Sequence, residues 1–314
     1  MIKIPTVLVL GAGASMPYGL PSGASLRDAI CIGALDEKSA LAGFLRAECG
    51  IGDNERTAFG RALLGSRLLS IDTFLSRRSE FARIGKQCIA FELCRQESAY
   101  SLTRLGNDDD WYSYLWDILT FGAHDAAHLR NNRLRIVTFN YDRSLEYMLH
   151  EATKHTFRLD DAAALAAWRL IGIRHVYGQL GDFDVSLSAS ARPYNGDAGV
   201  ASVNVAATGI RVVPEARTDD DVFNLARRWF ADAQQIIFLG FGFDPLNVER
   251  LGLADVISHL SDQNSPVPTV FASVLGKTPT EIRLINQTLC PPPGNFVVEG
   301  NRNLMALRNW SVLR

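Results

Sequence analysis

The sequence predicts an α/β fold: a doubly wound parallel sheet with helices on both faces and an inserted helical module. Three observations predict it. Short, unbroken apolar runs rich in β-branched residues recur along the chain, nearly all end next to Gly, Asn or Asp, and segments of helical periodicity separate them. A strand buried on both faces of a parallel sheet reads as such a run, and repeated strand-then-helix units build such a sheet.

Thr6-Val-Leu-Val-Leu10 is the first strand and runs straight into Gly11. From about Ser25 to Asn132 the strand signal gives way to helical periodicity, so a helical module at 25–132 is expected within a single domain spanning 1–314. In that module Trp111, Leu115 and Ile118 recur at helix spacing and predict a helix reaching Phe121. This aromatic helix either packs against another subunit or docks on its own sheet. Asp108, Asp109 and Asp110 precede it, where carboxylates cap free N–H groups and complement the helix dipole; an acidic metal cluster is the alternative. Arg135–Phe139 and Gln235–Leu239 are the next strands, and Pro268–Leu275 and Phe296–Glu299 add two more, completing a Rossmann-like pattern. Gly181 to Gly209, rich in Ser, Ala, Gly and Asn with little periodicity, reads as a loop over a site or as a plain connection. Thr218-Asp-Asp-Asp221 opens a helix through Phe223, Ala226, Trp229 and Phe230, and Pro291-Pro-Pro-Gly294 is a turn or spacer.

Composition removes several function classes. With 47% apolar and 21% charged residues, the 314-residue chain has material for a large core and is not a disordered or coiled-coil protein. A net charge of -2 supplies no overall basic field, so neither direct nucleic-acid binding nor attraction to an anionic membrane is expected. The five cysteines are odd in number, widely spaced and without a C-x-x-C pair, which argues against a disulfide framework and a structural zinc site. Lys3, a short apolar run and Ala12-Gly-Ala14 imitate a signal peptide, but Pro5 interrupts the approach, and a cytoplasmic setting is expected. No stretch has the roughly 18 continuous apolar residues of a membrane span.

Four segments carry candidate chemistry. Gly11-Ala12-Gly13-Ala14-Ser15 follows the first strand, where glycine lets backbone N–H groups approach a pyrophosphate. Met16 stands where the dehydrogenase fingerprint has its third glycine, and no acidic residue ends a second strand about 20 residues on, so that fingerprint is incomplete. Thr138-Phe-Asn140-Tyr-Asp142 ends a buried strand, where open α/β sheets bind ligands; capping of the next helix by Asp142 is compatible with that role. His175-Val-Tyr-Gly178 follows a short apolar stretch, and Leu239-Gly240-Phe241-Gly242-Phe-Asp244 closes the late strand. His124 and His128 lie i, i+4 on one helix face without the Glu of an H-E-x-x-H zinc site, and no metal is expected.

Together with Gly19-Leu20-Pro21, these segments resemble the sirtuin superfamily in the SIR2-like form of prokaryotic anti-phage defence proteins. The resemblance covers landmarks from residue 11 to about 250. It implies that Gly11, Ala12, Gly13, Ala14 and Ser15 hold the NAD+ phosphates, that Leu20 and Pro21 belong to the loop over the nicotinamide ribose, and that Gly240, Phe241 and Gly242 hold the adenosine side. It further implies that Asn140 positions water or ribose, His175 is the base, and Asp142 organises the nicotinamide end. The implied activity is NAD+ glycohydrolysis to nicotinamide and ADP-ribose, by a toxic effector gated through homo-oligomer assembly or a separately encoded partner such as a HerA-like ATPase or an Argonaute-like protein. Three departures stand out: Val176 and Tyr177 separate His175 from its glycine, the late turn reads Gly-Phe-Gly-Phe-Asp, and the four-cysteine zinc ribbon of protein deacylases is absent. A deacylase or ADP-ribosyltransferase, or a non-catalytic NAD+ or ADP-ribose sensor, would share the nucleotide site.

Overall fold

The computed structural model describes residues 1–104, 106–183, 191–195, 199–212 and 221–313. Six parallel strands, β1 (Thr6–Leu10), β2 (Leu134–Thr138), β3 (Gly172–His175), β4 (Gln235–Leu239), β5 (Thr269–Ser273) and β6 (Phe296–Glu299), form one open sheet in the order β3-β2-β1-β4-β5-β6. This is the strand order of dinucleotide-binding Rossmann folds, with the chain reversing direction across the sheet between β1 and β4. The register aligns the ends of the inner strands, pairing Leu10 with Thr138 of β2 and with Leu239 of β4. The turns that follow these three strands therefore emerge side by side.

The unbroken apolar runs are explained by burial on both faces. Val7 and Val9 of β1 enter one core cluster with Ile236 and Phe238, while Leu8 and Leu10 enter the other with Ile237 and Leu239. Helices from Gly23–Leu35 through Ala82–Gln96 lie between β1 and β2 in the chain, as the expected 25–132 module requires, and supply Ile30, Phe59, Phe74 and Ile89 to the first cluster. Trp111–Thr120 instead covers the opposite face, with Trp111 and Leu115 fully buried and Ile118 nearly so. Phe121 alone of that apolar set is exposed. The helix thus docks within its own subunit, which removes the surface argument for self-association that its sequence offers.

Two elements differ from expectation. Val200–Gly209 is a helix inside the stretch read as irregular; its small residues mask the period, yet Val203, Ala206 and Ala207 are buried at i, i+3, i+4. The edge strand β3 is four residues long and only partly buried, too short to stand out as an apolar run. Of the three aspartates at 108–110, Asp110 caps the Trp111–Thr120 helix by accepting from the Ser113 N–H at 3.2 Å. Asp109 reaches across to accept the Leu304 N–H at 2.6 Å, at the start of the Asn303–Trp310 helix. Capping, not a metal cluster, accounts for these two. The helix expected from Thr218 is described from Asp221 to Ala231, and Thr218 to Asp220 lie outside the described residues. No helix among the described residues is long and apolar enough to cross a membrane.

Candidate functional site

A cleft of about 810 Å³ opens above the carboxyl ends of the strands at the point where strand order reverses. That is where open α/β sheets bind ligands, because the two connections leave the sheet in opposite directions and part. Gly11, Ala12 and Gly13 form its wall after β1, Asn140 and Asp142 after β2, and Gly240, Phe241 and Gly242 after β4, with Leu20 and Pro21 on the covering side. Ten of the thirteen residues expected at a nucleotide site share this one cleft. Ala14, Ser15 and His175 do not line it.

The glycines let the turns after β1 and β4 pack backbone to backbone. The Gly11 N–H donates to the Leu239 carbonyl at 3.1 Å and the Gly13 N–H to the Gly240 carbonyl at 2.9 Å, while the Ala14 N–H is bonded to the Gly11 carbonyl at 2.9 Å. These donors are spent holding the turns together and are not presented to a pyrophosphate. A Cβ on Gly11 would lie 2.7 Å from the Gly240 carbonyl oxygen, and one on Gly240, whose φ is +57°, would lie 2.0 Å from the Ala14 nitrogen. Gly242 is the exception, since a Cβ there meets nothing within 4 Å and would project into open space in the cleft wall.

Asn140 is held by its side-chain amide. Its Nδ2 donates to the Gly11 carbonyl at 3.0 Å and to Ser15 Oγ at 3.0 Å, so Ser15, itself buried, acts by orienting Asn140. With the nitrogen committed, the amide oxygen is the remaining polar handle of Asn140. Asp142 combines two roles: it lines the cleft, and its Oδ1 accepts the Ser144 N–H at 3.1 Å and the Ser144 hydroxyl at the start of the Ser144–Phe157 helix. Burial pushes its carboxyl up from the ordinary range, against the lowering effect of the Ser144 hydrogen bonds.

His175 lies outside the cleft lining, behind the turn that carries Asn140. Its Nδ1 lies 2.7 Å from the Asn140 carbonyl oxygen and its Nε2 lies 2.6 Å from Glu146 Oε1, with both side chains of the pair buried. Both ring nitrogens are thus engaged by protein groups, one by a backbone carbonyl and one by a carboxylate. Burial alone would lower its pKa, but the Glu146 carboxylate and the Asn140 carbonyl outweigh that and raise it. The His175 ring links the Glu146 carboxylate to the backbone carbonyl of Asn140. From the same segment it is Tyr177 that turns toward the cleft wall, its hydroxyl donating at 2.6 Å to Oδ1 of Asn247, a lining residue.

Sequence reasoning also missed Asp72, at the start of the Ile71–Arg77 helix, which lines the cleft beside Ser70. The pattern Ser70-Ile-Asp72 reads as an ordinary helix start, and Ser70 does cap that helix. Lys277, Arg302 and Asn303 line the cleft beyond β5 and β6 together with Asp109, with Lys277 Nζ 3.7 Å from Glu281 Oε1. Among the described residues one possible metal trio occurs, His150, Glu151 and Asp161, away from the cleft; Lys154 Nζ sits 2.7 Å from Asp161 Oδ1 and fills the cation position. Neither a family model nor a curated protein matches the chain.

Proposed function

We propose that this chain is a SIR2-like NAD+ glycohydrolase that releases nicotinamide and ADP-ribose. One observation carries the reading. Segments around residues 11, 140 and 240, far apart in sequence and each resembling a landmark of that superfamily, converge on a single nucleotide-sized cleft at the strand-order reversal. Cleavage of the nicotinamide–ribose bond develops positive charge at the ribose C1′, so a site must hold the ribose, let nicotinamide depart and aim a water. Asn140, fixed through Nδ2, offers its amide oxygen to a ribose hydroxyl or water, and Asp142 sits beside it. The Lys277 and Arg302 end suits the phosphates, since the backbone donors at Gly11 and Gly13 are already committed. By the same resemblance the enzyme is an effector of anti-phage defence, gated by homo-oligomer assembly or by a partner such as a HerA-like ATPase or an Argonaute-like protein.

The engagement of His175 favours a second reading, a non-catalytic NAD+ or ADP-ribose sensor. Calorimetric titration with NAD+ and ADP-ribose, alongside chromatographic detection of nicotinamide, separates the two. Binding with turnover supports the hydrolase, binding without turnover the sensor, and absence of binding removes both.

A further inference from the structure

His175 does not line the cleft, so another group there must accept a proton from water. Two carboxylates reach the cleft from outside the recognised segments, Asp72 and Asp109, and Asp109 is committed to the Leu304 N–H at 2.6 Å, which leaves Asp72. The Ile71–Arg77 helix is anchored by Ile71, Phe74 and Leu75, all buried in the core cluster, which leaves Asp72 at the flank of the buried face, where it lines the cleft. The Tyr141 hydroxyl, one residue after Asn140, donates to Asp72 Oδ1 at 2.6 Å. The carboxylate is thereby tied to the turn that presents Asn140 and Asp142. Ser70 stands at its base and caps the helix through the Asp72 N–H at 3.1 Å.

We propose that Asp72 is the general base of the hydrolysis, an assignment that rests on the NAD+-hydrolase reading. A water oxygen bonds to C1′ of the ribose as the C1′–N1 bond breaks. The bonding pair leaves with nicotinamide, which departs neutral, and the water proton passes to the Asp72 carboxylate and then to solvent. NAD+ and water thus give nicotinamide, ADP-ribose and one proton. The surroundings of Asp72 suit a base, because burial raises the carboxyl and nearby Asp244 adds to the rise, while the Tyr141 hydroxyl opposes it. The remaining titratable groups facing it are Tyr177 and, through the Tyr177 hydroxyl, Arg250. A base poised above the ordinary carboxylate range accepts a proton more readily near neutral pH. The inserted helices thereby acquire a chemical role, since they deliver this carboxylate to a sheet that lacks it.

The test uses the full chain at micromolar concentration with NAD+, following nicotinamide release over hours, and ADP-ribose titration as the binding readout. Asp72→Asn is expected to lower kcat by about 10²–10⁴ while ADP-ribose affinity stays within about threefold, and Asp72→Glu to recover part of the rate. Tyr141→Phe removes a hydrogen bond that favours the ionised carboxylate, so the acid limb of the kcat–pH profile should move to higher pH. A folded Asp72→Asn protein with wild-type kcat, or an unmoved acid limb in Tyr141→Phe, overturns the assignment and leaves the hydrolase reading standing. Failure of the wild-type chain to bind ADP-ribose, or absence of nicotinamide release even when it is assembled with its partner, overturns both.

Discussion

Nε2 of His175 lies 2.6 Å from Oε1 of Glu146, and the two side chains are buried together behind the turn that carries Asn140. The pair makes the stability of the site pH-dependent. Because the folded-state pKa of His175 is raised, its contribution is fully present below the unfolded value near 6.5 and is lost as pH rises through the folded value. Glu146→Gln keeps the shape and removes the charge. Its stability deficit relative to wild type, from urea midpoints, should be largest below about pH 6.5 and shrink steadily as pH is raised. A deficit independent of pH would show that the pair is not ionic.

Asn140 should be separable from His175. Asn140→Ala removes a cleft-lining amide and only two hydrogen bonds, so a folded protein is expected with nicotinamide release lowered by about 10²–10⁴. His175→Ala should instead be detected first as unfolding. It leaves the Glu146 carboxylate buried without its cation, a loss of about 3–5 kcal/mol for a broken buried pair. Thermal denaturation of the two variants side by side makes the comparison.

The two late-turn glycines should respond in opposite ways. Gly240→Ala places a methyl into the backbone of the Gly13–Ala14 turn and should prevent stable folding. Gly242→Ala meets no protein atom, so its melting temperature should match wild type while NAD+ binds roughly tenfold more weakly, equivalent to about 1.4 kcal/mol. Equal affinity in Gly242→Ala would place the nucleotide elsewhere along the cleft.

Glu97 should be a strong determinant of stability. Fully buried after the Ala82–Gln96 helix, it accepts from Arg143 at 3.0 Å and 3.2 Å and also from Arg192. The triad joins the inserted helices, the turn after Asn140 and the segment beyond Leu180. Glu97→Ala strands two buried guanidinium groups, and a loss of about 3–5 kcal/mol is expected in chemical denaturation. A loss below about 1 kcal/mol would mean that water or another acceptor reaches them.

Sequence alone determined five of the six strands and the strand ends above which the cleft opens. β1 and β4 follow their apolar runs residue for residue, because burial on both faces leaves no polar position to blur the pattern. Asn140, Asp142 and the glycine turns were legible for a related reason: a ligand site at a strand end is written in the few residues that follow the strand. Tertiary structure decided which way side chains at those ends point. His175 and Tyr177 are two residues apart in one segment, yet the first pairs with Glu146 and the second reaches Asn247, a choice set by partners on distant elements. Asp72 was hidden for the same reason, since its local pattern is that of any helix start and only the docking of Phe74 and Leu75 into the core turns it toward the cleft. Periodicity records which face a residue buries; the partner that meets it depends on long-range packing that no local window contains.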